Sequence, residues 1–158
     1  MFPPGAATFP GAITTARDTA RTMSQAIPPT ADIQAGFDAF NRRDFEAFIA
    51  LYDEEVELFD LAEAPDQRVF RGHAGVREWI AKLQEAWDEG FVRFEPQSFV
   101  EGDGAVVVDT RAKAVGGGSG VPIEMTFHTV LRFRDQKAVW VNSFIDRAEA
   151  LDAAGLSE

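Results

Sequence analysis

Apolar and polar positions follow two regimes along this chain. As far as about residue 90 they recur mostly with the period of helices, and beyond it they alternate as in strands. In Thr30–Arg43, Ile33, Phe37 and Phe40 stand at i, i+4 and i+7 and predict a first helix. Gly36 interrupts it at a cost of about 1 kcal/mol relative to Ala, which suggests that another element packs closely there. Phe45, Phe48, Ile49 and Tyr52 then repeat the helical spacing, with Asp44 placed to cap the first turn. Directly afterwards Val56, Leu58 and Asp60 alternate with Glu57, Phe59 and Leu61, which is the period of a strand.

Leu61–Arg71 reads as a loop with a short extended piece at Val69-Phe70. The next helix carries Val76, Trp79, Ile80, Leu83 and Trp87 on one face and Arg77, Glu78, Lys82, Glu85 and Asp88 on the other, with Gly90 as its stop. Strands are expected over Phe91–Val100, Ala105–Val115, Val121–Arg134 and Lys137–Ile145. They are separated by Gly102-Asp103-Gly104, the GGGSG run at 116–120, and Asp135-Gln136. That glycine run lacks the Lys and Ser/Thr of a phosphate-cradling loop and reads as a hairpin. Asp146 opens a last helix with Glu149 three residues on, a capping-box pattern, and Gly155 closes it. Three helices around one strand, then four long antiparallel strands, predict an α+β domain with helices on one face of a curved sheet. On the longest strand Ile123, Met125, Phe127, Thr129, Leu131 and Phe133 should meet the helices. His128, Val130 and Arg132 then face solvent or a second subunit.

The same alternation exposes the first candidate for chemistry. Asp60 shares a strand face with Val56 and Leu58, and a carboxylate on an apolar face is costly unless paired. Two readings stand side by side: an acid–base group, or a residue that ends the strand and ties down the loop before Pro65. Asp146 is likewise a helix cap or a second acid–base group. His73, just before a helix, reads as a loop or capping residue.

Composition narrows the classes. With 158 residues and 46% hydrophobic content, the chain can build one real core. It has no cysteine, which excludes disulfides and thiolate chemistry, and only His73 and His128 could supply imidazole to a metal. A net charge of -11 argues against nucleic acid as a partner, and no apolar run approaches the ~20 residues of a membrane span. Residues 1–29 are rich in Pro, Gly, Ala and Thr without periodicity and read as a tail preceding a domain over 30–156. They lack the continuous apolar stretch of a secretory signal, so a cytoplasmic location is expected, and Met23 offers a second candidate start.

Three stretches carry a resemblance: FNRRDFEAFIALYDEEVELFD at 40–60, FRGHAGVREWI at 70–80 and SFIDRAEALDAAGL at 143–156. Together they resemble the nuclear transport factor 2-like superfold, in its SnoaL-like and ketosteroid-isomerase-like branch. The resemblance implies a cone, a curved sheet wrapped around three helices and a deep apolar pocket, often dimeric through the sheet. Matched residue by residue, the isomerase's general base falls on Asp60, while its two acidic hydrogen-bond donors fall on Gly36 and Thr129. Oxyanion stabilisation needs strong donors, so steroid isomerisation by that mechanism is not expected. The catalytic aspartate of SnoaL-like cyclases resembles Asp146 in position. The expected site is therefore Asp60 and Asp146 as acid–base groups, with Thr129, Asn142, Trp140, Phe144, Trp79 and Phe127 binding a hydrophobic polyketide- or terpenoid-like molecule. No cofactor or metal is expected. The alternative is a non-catalytic ligand-binding or dimerisation module of the same fold.

Overall fold

A computed structural model describes residues 27–62, 67–116 and 120–156. Most of the expected tail (residues 1–26), the loop residues 63–66 and residues 117–119 of the glycine-rich run lie outside the described residues. The elements run α1 (Thr30–Asn41), α2 (Phe45–Ile49), β1 (Tyr52–Phe59), β2 (Val69–Arg71), α3 (Gly72–Ala86), β3 (Trp87–Glu101), β4 (Ala105–Gly116), β5 (Pro122–Arg134), β6 (Lys137–Phe144) and α4 (Arg147–Ala153). The strands form one six-stranded sheet in the order β2-β1-β6-β5-β4-β3. All neighbours are antiparallel except β1 and β6, which run parallel. The α+β architecture expected from the sequence is thus the one observed.

Helices α1, α2 and α3 pack on one face of this sheet. Ile33 and Phe40 of α1, Phe48 and Ile49 of α2, and Val76 and Ile80 of α3 are buried against Val106, Val108 and Leu131. Each such side chain, fully buried, contributes about 1.5–3 kcal/mol. Gly36 has the role its position suggested: a Cβ there would stand 3.1 Å from Leu51 Cδ2 in the turn before β1. Gly75 is tighter still, since a Cβ would lie 2.7 Å from the Phe70 carbonyl carbon, so the first turn of α3 sits directly on β2. Asp44 caps α2 by accepting the Ala47 amide at 3.2 Å.

Two boundaries differ from the periodicity. Tyr52 continues the helical spacing of Phe45, Phe48 and Ile49, but α2 ends at Ile49 and Tyr52 begins β1. It still packs edge-on against Phe48, with ring centroids 5.1 Å apart, so the apolar contact survives the change of element. Strand β3 begins at Trp87, ahead of the expected helix stop at Gly90, and the Trp87 side chain, read as core, lies outside the described side chains.

A second core occupies the opposite face. Ala105, Val107 and Val130 are buried under Ala150 and Ala154 of α4, with Trp140 and Phe144 beside them. This corrects the expectation for the outward residues of β5. Val130 is 0% exposed and covered by the chain's own last helix, so it is not free to meet a second subunit. Arg132 donates to the Ala153 carbonyl, and its guanidinium lies 5.9 Å from the Trp140 ring centroid. His128 does point away from α1, α2 and α3, as its parity requires, with Nδ1 2.6 Å from Asp109 Oδ1. No helix among the described residues is long and apolar enough to cross a membrane.

Candidate active site

Between the helices and the concave face of the sheet lies a cavity of about 320 Å³. Burial along β5 gives its depth: Ile123 and Met125 line it at 43% and 40% exposure, while Thr129 and Leu131 line it at 6% and 2%. The opening is therefore at the start of β5 and the floor near Leu131, Val141 and Leu58. Aromatic rings make much of the wall. Trp79 lies nearly parallel to both Phe94 (15°) and Phe48 (21°), and Phe94 meets Phe127 edge-on. These rings come from α2, α3, β3 and β5, so the shape is set by mutual packing rather than by one flexible loop.

One row of polar residues crosses the deep half of this cavity. The parallel register of β1 and β6 sets Leu58 beside Val141. Carried two residues further, it brings Asp60 alongside Ser143, where the Ala62 amide donates to the Ser143 carbonyl at 2.7 Å. The antiparallel register of β5 and β6 sets Thr129 opposite Ser143, and their hydroxyls are 3.0 Å apart. Asp60, Ser143 and Thr129 all line the cavity.

Asp60 is half-buried and meets both readings of the sequence. Its amide donates to the Arg68 carbonyl at 3.0 Å and its Oδ2 accepts the Arg68 amide at 3.3 Å, closing the loop. Its Oδ1 accepts no hydrogen bond from the described residues. The Arg68 guanidinium is turned elsewhere: it pairs with Glu78 at 3.1 Å and lies over the Phe70 ring at 4.6 Å. No Lys, Arg or His is among the described residues that line the cavity. The carboxylate thus has one oxygen unbonded by the described residues and no basic side chain among the described residues of the cavity wall.

The remaining expected site residues divide sharply. Thr129, Trp79 and Phe127 line the cavity. Trp140, Asn142 and Phe144 do not: they pair with Arg132, Val130 and His128 on the opposite face. Trp140 and Phe144 pack into the second core, and Asn142 accepts a hydrogen bond from Gln67 at 3.0 Å. Asp146 is exposed and caps α4, accepting the amides of Ala148 (2.8 Å) and Glu149 (3.3 Å). It is a cap and is not part of the cavity. His73 holds the Tyr52 carbonyl at 2.8 Å. Sequence reasoning missed Ser143 because the expected set Trp140, Asn142 and Phe144 shares the parity of Asp146. With Asp146 outside the cavity, it is the opposite parity, Val141 and Ser143, that faces it. Among the described residues, no cluster of His, Asp and Glu could hold a metal ion.

Comparisons with known proteins agree with this fold. The model of the SnoaL-like domain matches residues 33–141. No curated protein matches the sequence. Solved structures do. A nuclear transport factor 2-like protein of unknown function from Burkholderia pseudomallei is 22% identical, covering 78% of this chain and 94% of its own, with a TM-score of 0.64. A protein with a ketosteroid isomerase-like fold from Catenulispora acidiphila, in complex with trimethylamine, is 16% identical, covering 83% of this chain and 95% of its own, with a TM-score of 0.64. SalBIII, an epoxide hydrolase/cyclase-like enzyme in pyran ring formation in the polyether salinomycin, is 20% identical, covering 73% of this chain and 88% of its own, with a TM-score of 0.61. At these identities the likeness is one of fold.

Proposed function

Since the chain belongs to the SnoaL-like domain family, we propose that it is a cofactor-free acid–base enzyme, of cyclase or isomerase type, acting on a hydrophobic polyketide- or terpenoid-like molecule. What carries the reading is Asp60: a carboxylate with one oxygen unbonded by the described residues, facing an aromatic cavity without a basic side chain. In this reading Oδ1 takes a proton from an activated carbon or hydroxyl of the ligand and returns it at a second atom, leaving the protein unchanged. Thr129 and Ser143, joined through their hydroxyls, orient an oxygen of the ligand beside Asp60. The aromatic walls hold the ligand by area and exclude water, which strengthens each polar contact inside.

A second reading, a ligand-binding module, is favoured by one observation. Gly36 and Thr129 stand where the isomerase-like resemblance expects acidic hydrogen-bond donors, so neither position supplies an acid or a cation to stabilise an enolate. The test compares wild type with Asp60→Asn, measuring ligand binding and turnover separately. The enzyme reading expects Asp60→Asn to bind an apolar ligand as wild type does while its turnover falls by about 10²-fold or more. Recovery of every bound ligand unchanged from the wild type would instead establish the binding module.

A further inference from the structure

Tyr52 is the chain's single tyrosine, and it lines the cavity at 6% exposure. Everything about it is held except its hydroxyl. Its carbonyl is bonded by His73 from the first turn of α3, and its ring packs edge-on against Phe48. It pairs across the sheet with Ala138, whose amide donates to the Leu51 carbonyl at 3.0 Å immediately before it. The phenol oxygen, by contrast, has no hydrogen-bond partner among the described residues. Buried hydroxyls nearly always have a partner, so one without needs a reason. Burial also pushes its pKa up, so the group stays a protonated donor.

We propose that the Tyr52 hydroxyl is a ligand-binding donor, a second polar anchor that selects ligands bearing a hydrogen-bond acceptor such as a ketone or ether oxygen. The inference rests on the cavity being the site of the function proposed above. Asp60 directly follows the other end of the same strand and lines the same cavity, so the two groups would bracket a ligand: an acceptor for its acidic hydrogen, a donor for its oxygen. Preorganisation explains why an isolated hydroxyl suffices here. The ring is already immobilised by Phe48 and the backbone by His73, so binding orders little besides the ligand.

The test uses two probes of one shape, 2-acetylnaphthalene and 2-ethylnaphthalene, with wild type and Tyr52→Phe. Wild type is expected to prefer the ketone by about tenfold, the upper end for one neutral hydrogen bond, and Tyr52→Phe to lose that preference. Because the hydroxyl has no internal partner, Tyr52→Phe should leave the melting temperature unchanged or raise it. In protein labelled at the tyrosine ζ carbon, the single NMR line should move with the ketone and stay with the hydrocarbon. A preference that survives in Tyr52→Phe overturns the proposal, as does a melting temperature lowered by more than about 4 °C, which would reveal an internal partner. Equal affinity of wild type for both probes overturns this inference alone. Failure of both probes to bind overturns the cavity reading with it.

Discussion

Asp60 and Asp146 show how far a single residue could be read before its neighbours were known. Both were candidates for acid–base work and for local capping, because Asp is favoured wherever a backbone amide lacks a partner. The structure gives them different surroundings. Asp146 spends its carboxylate on two amides at the start of α4, outside the cavity. Asp146→Ala is therefore expected to cost about 0.5–2 kcal/mol of stability, read as a lowered denaturation midpoint, and to leave ligand binding unchanged. An effect on binding without one on stability would return Asp146 to the site. Asp60 closes a loop with one oxygen and faces the cavity with the other, which alternation along β1 had indicated through Val56 and Leu58. Ser143 was passed over because the site expected on β6 followed the parity of Asp146, and Val141 and Ser143 have the opposite one. Tyr52 was legible as a buried aromatic but not as a donor, because spacing says nothing of where a hydroxyl finds its partner.

The elements themselves were largely legible. The apolar stripe of α3, the alternation of β5 and the Asp146 cap of α4 each express one period or one cap that tertiary contacts did not override. What periodicity could not say was which face of the sheet α4 would cover. The outward parity of β5 mixes Val130 with His128 and Arg132, and such a mixture suits solvent, a partner or a short helix equally. The attachment of α4 has a polar side as well. Arg147 reaches Asp109 at 3.2 Å, and Asp109 also receives Ser98 and His128. Burial pulls the Asp109 pKa up, but the bonds from Ser98, His128 and Arg147, with the Arg147 charge, outweigh it and leave it below the ordinary carboxylate value. A carboxylate depressed in the folded state adds stability that is complete above its unfolded pKa, near 3.9, and is lost as pH falls through the lower folded value. Thermal stability should accordingly decline through that acid window, and Asp109→Asn should flatten the decline. An unchanged acid limb in the variant would place the sensitivity elsewhere.

At the scale of the whole molecule, the α4 covering moves the surface on which a second copy could dock. A homodimer through the sheet, proposed from the resemblance, would have to use the part of the convex face that α4 leaves open. That part carries crossed ion pairs: Arg93 and Lys113 with Glu95, and Arg111 with Glu124. An interface of exposed charges is screened by salt, so the dimer should weaken as ionic strength rises past the point where the Debye length is about 8 Å. Light scattering across a salt series checks this, and a monomer at micromolar concentration in low salt would remove the dimer. The two cores also divide the long strands lengthwise. Val106, Val107 and Val108, with Val130 and Leu131, are sealed from both faces, whereas the far ends of β4 and β5 carry Ala112, Ile123 and Met125 around the opening. Segments with little buried area open at a free energy well below that of global unfolding. The same pair of strands therefore grades from an anchor to a hinge, and a ligand larger than the opening could be admitted by local fraying of one end while the doubly buried middle keeps the register of the polar row.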